Sequence, residues 1–286
     1  MPVDPSVALG ATIEPFTTSW DADDVILYHL GIGAGLDKPT DPAELAYTYE
    51  QKLVVLPTFA VVPAFRGLVL AATGQVPGLA VNPVMILHGE QDLEVHQPIP
   101  TSGTAEHRPR VASLYDKGKA ALVTIEVESG PPGDPLFTNR FTIFARGEGG
   151  FGGDPNSPPP GNTPPEREPD AVAESPTMSH QALIYRLSGD KNPLHADPDF
   201  AKLGGFDTPI LHGLCTYGIV AKAVIDTLLD GDVAAVARYQ VRFTGVVFPG
   251  ETVLTSMWRD GGRIVLSATT KERGQPVLAN AAIWTR

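Results

Sequence analysis

The sequence contains a single cysteine, Cys215, in 286 residues. That excludes an intrachain disulfide and a cysteine-rich zinc site. Basic residues are also scarce: 21 Lys and Arg stand against 33 Asp and Glu, a formal net charge of −12. Nucleic acid as the main partner and an anionic membrane face both call for a basic surface, so neither is expected. A small anionic ligand stays open, since a few local cations suffice for it. No run approaches the roughly 18 apolar residues of a membrane-spanning helix. The opening MPVDPSVALGATIEPF lacks the basic and apolar regions of a secretory signal, and the closing AIWTR is not a peroxisomal address. A soluble, cytoplasmic protein is the expectation.

What is present is apolar and patterned. Hydrophobic residues make up 42% and charged residues 19%, the balance of a globular chain. Glycine and proline are unevenly spread: 13 of the 24 residues from Gly147 to Asp170 are one or the other. Such a stretch reads as an exposed connection, not a helix or central strand. The expected division is therefore residues 1–146, a connection over 147–176, and residues 177–286. Each half carries a Leu-His-Gly tripeptide (Leu87–Gly89 and Leu211–Gly213), a Pro-rich turn (QPIPTSG and VVFPGET) and an alternating strand (ALVTIEVES and RIVLSATTK). We read this as a duplicated unit. Val236–Thr244 alternates at period two and predicts a strand. Leu214, Tyr217, Ala221, Val224 and Leu228 recur at helical spacing and predict a helix from Gly213 to Leu229. Asp23–Leu30 predicts a helix in the first half. A long apolar helix wrapped by a curved antiparallel sheet is the hot-dog arrangement. The expected fold is α+β, a double hot dog.

The densest segment for chemistry is YRLSGDKNPLHADPDFAKLGGFDTPILHG, Tyr185–Gly213. Asp197 followed by Pro198 suits a helix start. Gly189, Asp190, Asn192 and Pro193 are turn formers, which puts Asp190 and His195 on one irregular loop. Taken singly, Asp190 reads as a turn residue and His195 as a satisfied loop histidine. A metal held by His195 and Asp197 lacks further ligands at supporting spacing. With His212-Gly213 added, the segment supplies an acid/base pair and an amide at a helix N-terminus, where unpaired N–H groups and the dipole favour negative charge.

These residues carry a resemblance. Tyr185–Asp190, Asn192–His195, Asp197-Pro198 and Pro209–Cys215 resemble the motif of the MaoC-like (R)-specific enoyl-CoA hydratases, hydratase 2, as do LPTF (Leu56–Phe59), LHGEQ (Leu87–Gln91), DKG (Asp116–Gly118) and GGFGG (Gly149–Gly153) in the first half. The likeness extends to the hydratase 2 domain of peroxisomal multifunctional enzymes type 2 and covers almost the whole chain. It implies that Asp190 and His195 are the catalytic pair, that Asn192 helps hold the water, and that the Gly213 amide polarises a thioester carbonyl. It implies that His88, Gly89, Lys117 and Phe243 contact the acyl-CoA. Glu50 matches an acidic position that we read as structural. The first half, without SGDxNPLH, is expected to bind the acyl chain. No metal or redox cofactor is implied.

The expected activity is hydration of trans-2-enoyl-CoA to (3R)-3-hydroxyacyl-CoA, or the reverse, by a homodimer acting in fatty-acid or steroid side-chain metabolism. Dehydration of carrier-protein thioesters and hot-dog thioesterase chemistry are the alternatives. GIGAG (Gly31–Gly35) follows a helix pattern rather than a strand, so it is not a dinucleotide fingerprint. Cys215 reads as a packed small residue.

Overall fold

Period-two sequences become strands that bury alternate side chains. Val236–Phe243 is one of them (β7), with Val236, Tyr239 and Val241 buried. The protein is described here from a computed structural model covering residues 3–82, 85–158 and 161–286. Pro159 and Pro160, part of the expected connection, lie outside the described residues, as do Met1, Pro2, Pro83 and Val84. Among the described residues ten strands form one antiparallel sheet: β1 (Phe16–Trp20), β2 (Ile86–Val95), β3 (Gly103–Asp116), β4 (Ala120–Ser129), β5 (Phe137–Arg146), β6 (Ala171–Pro176), β7, β8 (Thr252–Asp260), β9 (Arg263–Thr270) and β10 (Pro276–Thr285). Their order is β1-β3-β4-β5-β2-β7-β10-β9-β8-β6. This order is symmetric about the β2–β7 pair, so five strands of one half mirror five of the other. The duplicated unit is therefore visible in the topology.

The helices are α1 (Pro5–Ala8), α2 (Ala22–Gly31), α3 (Pro42–Thr48), α4 (Val61–Ala72), α5 (Gln181–Tyr185), α6 (Pro198–Leu203) and α7 (Gly213–Leu228). The long apolar helix read from the sequence is α7. Leu214 through Ala221 are all buried, as a helix apolar on nearly every side must be. Its counterpart α4, packed on β3, β4 and β5, was not predicted. Pro63 and Gly67 disguise it. Pro63 sits in the first turn, where its missing N–H would have had no intrahelical partner. Gly67 permits close approach: a β-carbon there would lie 2.8 Å from the Val127 side chain. The result is the double hot dog expected.

Three readings need correction. First, the sequence pairs Leu87–Gly89 with Leu211–Gly213, but the fold does not. His88 and Gly89 lie within β2, at a register irregularity, whereas His212-Gly213 opens α7. Leu56–Phe59, ahead of α4, hold the corresponding place. Second, the segment over 147–176 ends in the strand β6, paired with β8. The stretch before it is strapped across the sheet: Asn162 Nδ2 donates to Gln240 (3.2 Å) and Arg263 donates to Asn162 Oδ1 (2.8 Å). Among its described residues, Asn162 and Arg167 find fixed partners. Third, GGFGG closes the DKG turn: the Gly118, Gly150 and Gly152 amides all donate to the Asp116 carboxylate.

At the seam, Glu90 faces Arg242 and Leu93 faces Tyr239 across β2 and β7. Arg238 bridges to Asp92 (2.6 Å) and Arg242 to Glu90 (2.8 Å). Such partly exposed pairs contribute little stability, but their opposite charges favour this register.

Candidate active site

The loop after α5 turns because Gly189 adopts φ +118°, a conformation that side chains disfavour. Asp190 Oδ1 then accepts the Asn192 N–H at 3.1 Å. Asn192 Oδ1 accepts the Leu194 N–H at 3.0 Å, capping a single tight turn over Pro193–His195. Asp197 caps α6 through the Asp199 and Phe200 amides, so its carboxylate is committed to the helix.

These local bonds deliver His195 beneath Ile210. Its Nδ1 lies 2.9 Å from the Ile210 carbonyl. A carbonyl cannot donate, so Nδ1 carries the proton and Nε2 presents a lone pair. Nε2 is 4.0 Å from Asp190 Oδ2. That gap is too long for a direct hydrogen bond, but an oxygen about 2.8 Å from each would bridge it. Burial pushes the His195 pKa down, against the opposing pull of the Asp190 carboxylate, and the neutral ring is favoured.

His212 lies flat against His195, with ring centroids 3.7 Å apart and planes at 28°. Its Nε2 is 3.2 Å from the Asp190 backbone carbonyl, and its buried Nδ1 has no hydrogen-bond partner. Burial, reinforced by His195, drives its pKa down to about 2. Asp190, His195 and His212 bring potential ligand atoms within 4.8 Å of one another. Stacked imidazoles, however, do not aim two in-plane lone pairs at one point. His195 Nδ1 and His212 Nε2 are also both turned to carbonyls, so these residues fit poorly as a metal site.

Gly213 follows as the first residue of the 16-residue helix α7. A β-carbon on it would meet the Phe243 ring at 3.2 Å. The glycine thus keeps its amide accessible beside that ring.

Asp190, Asn192, His195, Gly213, His88 and Phe243 all line one cavity of about 530 Å³. The wall is shared: Phe65, Leu68, Val69 and Ala72 come from α4, and Ile143 from β5. The His88 ring lies tilted against Phe243, with centroids 4.9 Å apart, and burial holds its pKa to about 4. Two expected contacts are not brought to this cavity. Gly89 is not on its wall. Lys117 donates to the Pro155 carbonyl, drawn there by the DKG turn. The one Lys or Arg on the described wall is Lys191, at the exposed rim. Glu50 is also exposed and away from the wall. Sequence reasoning missed the α4 wall, Lys191 and the packing of the His212 ring on His195. The apolar run VVPAFRGLVLAA was a signal for the first. Cys215 is buried with its Sγ 3.3 Å from the Gly31 carbonyl, and burial pushes its thiol pKa up.

Comparison with known proteins bears on the family and the fold. Residues 18–147 match the MFE-2 hydratase 2 N-terminal domain, and residues 161–281 match the MaoC-like domain. The chain is 47% identical to an enoyl-CoA hydratase of Mycobacterium tuberculosis over 279 residues, 97% of each protein. It is 40% identical to the peroxisomal multifunctional enzyme type 2 of Mus musculus over 280 residues, 96% of this chain but 38% of that longer protein. A MaoC-like dehydratase from Phytophthora capsici superposes with a TM-score of 0.87 at 33% identity, covering 99% of this chain and 98% of that one.

Proposed function

The chain belongs to the MaoC-like hydratase 2 family, and from that premise we propose that it adds water to trans-2-enoyl-CoA thioesters, giving (3R)-3-hydroxyacyl-CoA, and runs the same step in reverse. The observation that carries the reading is the pairing of Asp190 Oδ2 and His195 Nε2 at 4.0 Å in a cavity that also receives the Gly213 amide end of α7.

Hydration must attach hydroxide to the β-carbon, place a proton on the α-carbon, and carry enolate-like charge on the thioester oxygen between those events. A water bonded to both Asp190 and His195 loses a proton to the pair as its oxygen attacks. With His195 neutral, both groups begin as acceptors. The proton returned to the α-carbon is therefore the one the water has just released, and no net proton or electron is consumed. The Gly213 N–H at the start of α7 receives the oxyanion. Asn192 Oδ1 is engaged by Leu194, which leaves its amide N–H to hold the water. The α4 side chains take the acyl tail, and Lys191 at the rim offers a cation to the CoA phosphates.

The chemistry is redox-neutral acid–base catalysis, so the reading includes no added cofactor. It also includes a homodimer in the cytoplasm, which light scattering and cell fractionation would test. Among the described residues no helix is long and apolar enough to cross a membrane.

The test is a series of trans-2-enoyl-CoA substrates of graded length, with loss of the conjugated enoyl absorbance as readout. Turnover on part of the series is expected. Absence of turnover on every member would overturn the proposal.

A further inference from the structure

His212 makes no contact that the hydration chemistry itself requires, yet it is held on several sides. It is 1% exposed. One face covers His195 at 3.7 Å and Tyr185 stands beside it at 4.9 Å. Its Nε2 reaches the Asp190 carbonyl at 3.2 Å, so Nε2 carries the proton and donates. Nδ1 is then an acceptor buried without a donor, an arrangement that lowers stability and that a phenylalanine would remove. The backbone of the same residue precedes the Gly213 amide and accepts the Cys215 and Thr216 N–H groups of α7.

From this geometry we infer that His212 is a positioning residue, whose Nε2–H clasps the Asp190 backbone while its ring seats His195, setting the separation of the two groups that share the water. The unpaired Nδ1 is the stability given up for that clasp. Asp190 and Arg186 are the charged groups acting on His195, and His212 packs on its ring with Tyr185 beside it. The Asp190 carboxylate supports a proton on His195 and Arg186 opposes it. Loosening Asp190 therefore moves the His195 pKa further down.

The test compares wild type with His212→Phe, which keeps a flat ring but no donor, and His212→Gln, which restores an N–H near the Nε2 position. In His212→Phe, kcat should fall about 10- to 100-fold, the scale of an ångström-sized misplacement. KM should stay within about threefold, and the melting temperature should be unchanged or higher. The acid limb of kcat/KM should move to lower pH. His212→Gln should recover most of kcat and the wild-type acid limb. Wild-type kcat in His212→Phe would overturn the inference, as would parallel loss of kcat, affinity and melting temperature in both variants. The kinetic arm rests on the hydratase reading. If wild type hydrates no enoyl-CoA, that reading fails, and the clasp is judged instead by NMR titration of His195 without substrate. A lower His195 pKa in His212→Phe supports it, and an unchanged value overturns it.

Discussion

The two halves of this chain share a strand topology and differ in the segments ahead of their central helices. Ahead of α7 stand SGDKNPLH and His212-Gly213. Ahead of α4 stand Leu53–Phe59, and α2 ends where the glycine-rich Gly31–Gly35 begins. Phe243 ends β7 and borders the large cavity; its counterpart Val95 ends β2 and borders a smaller one of about 260 Å³. The wall of that second cavity is Leu53, Val54, Val55, Pro57, Ile99 and their neighbours, with Arg286 bonded to the Val95 and Ala234 carbonyls. Among the described residues no Asp, Glu or His side chain lines it. Duplication thus retained a chamber in both halves, but among the described residues the proposed acid, base and oxyanion groups border only the larger one. The first half instead lends α4 to the working cavity, a division of labour that a symmetric pair of sites would not allow.

The largest effect should come from separating the halves. Residues 171–286 alone would expose the β7 edge, including its buried Tyr239 and Val241, and lose the α4 wall. We expect little soluble folded protein, because an uncovered apolar edge invites aggregation. A stable fragment that hydrates long enoyl-CoAs as well as the whole chain would refute the shared-cavity account.

Within the whole chain, Asp190→Asn and His195→Gln should each lower kcat by about 10²–10⁴, the range for acid–base groups, while a product analogue binds with little change. In the first half, Glu50→Gln should leave kcat within about twofold, as for most exposed surface positions. A folded Asp190 or His195 variant with near-normal turnover would remove that residue from the mechanism.

Ala72→Phe narrows the α4 wall. It should lower kcat/KM for long-chain enoyl-CoAs by more than about tenfold and leave a four-carbon substrate within about threefold, since each lost CH₂ contact is worth about 0.8 kcal/mol. Equal losses at every length would mean that the acyl tail lies elsewhere. Lys191→Ala, at the rim, should raise KM only a few-fold, an effect that shrinks at high salt.

The halves also separate pH effects. On the proposed mechanism His195 shares the base role in its neutral form, with a pKa held down by burial, so kcat/KM should fall on the acid side, below the ordinary histidine range. In the first half, burial holds His29 and His107 near 4. Between that value and the unfolded value near 6.5, the unfolded chain binds the proton more readily, so stability falls as pH falls through this window. Each contributes about 2 kcal/mol of loss at pH 5. Thermal melts from pH 7 to 5 should show the decline, and His29→Gln should remove its share and make the slope shallower. An unchanged slope would show that His29 does not titrate in this window.

Much of this was legible in residue order. Alternation marked β7 and β4, helical spacing marked α7, and the turn formers around Asp190 put two titratable groups on one loop. What was hidden depends on distance rather than order. The helix α4 was masked by Pro63 and Gly67, residues that disfavour helices yet suit its first turn and its contact with Val127. The correspondence of Leu87–Gly89 with Leu211–Gly213 misled because identical tripeptides occupy a strand in one half and a helix start in the other. Lys117 was drawn away by the Asp116 turn and its Pro155 contact, which no local spacing foretells. The face-to-face histidines are separated by 17 positions in sequence, and only the fold stacks them.

The central claim is a single asymmetric site, with the water-holding pair on one side and the oxyanion amide beside it, that adds water to one face of the double bond. Product chirality tests it most directly. Hydrated trans-2-enoyl-CoA is offered to an (S)-specific NAD-linked 3-hydroxyacyl-CoA dehydrogenase and, in parallel, to an (R)-specific one. The account predicts NADH only from the (R)-specific enzyme. Stoichiometric NADH from the (S)-specific enzyme would contradict it.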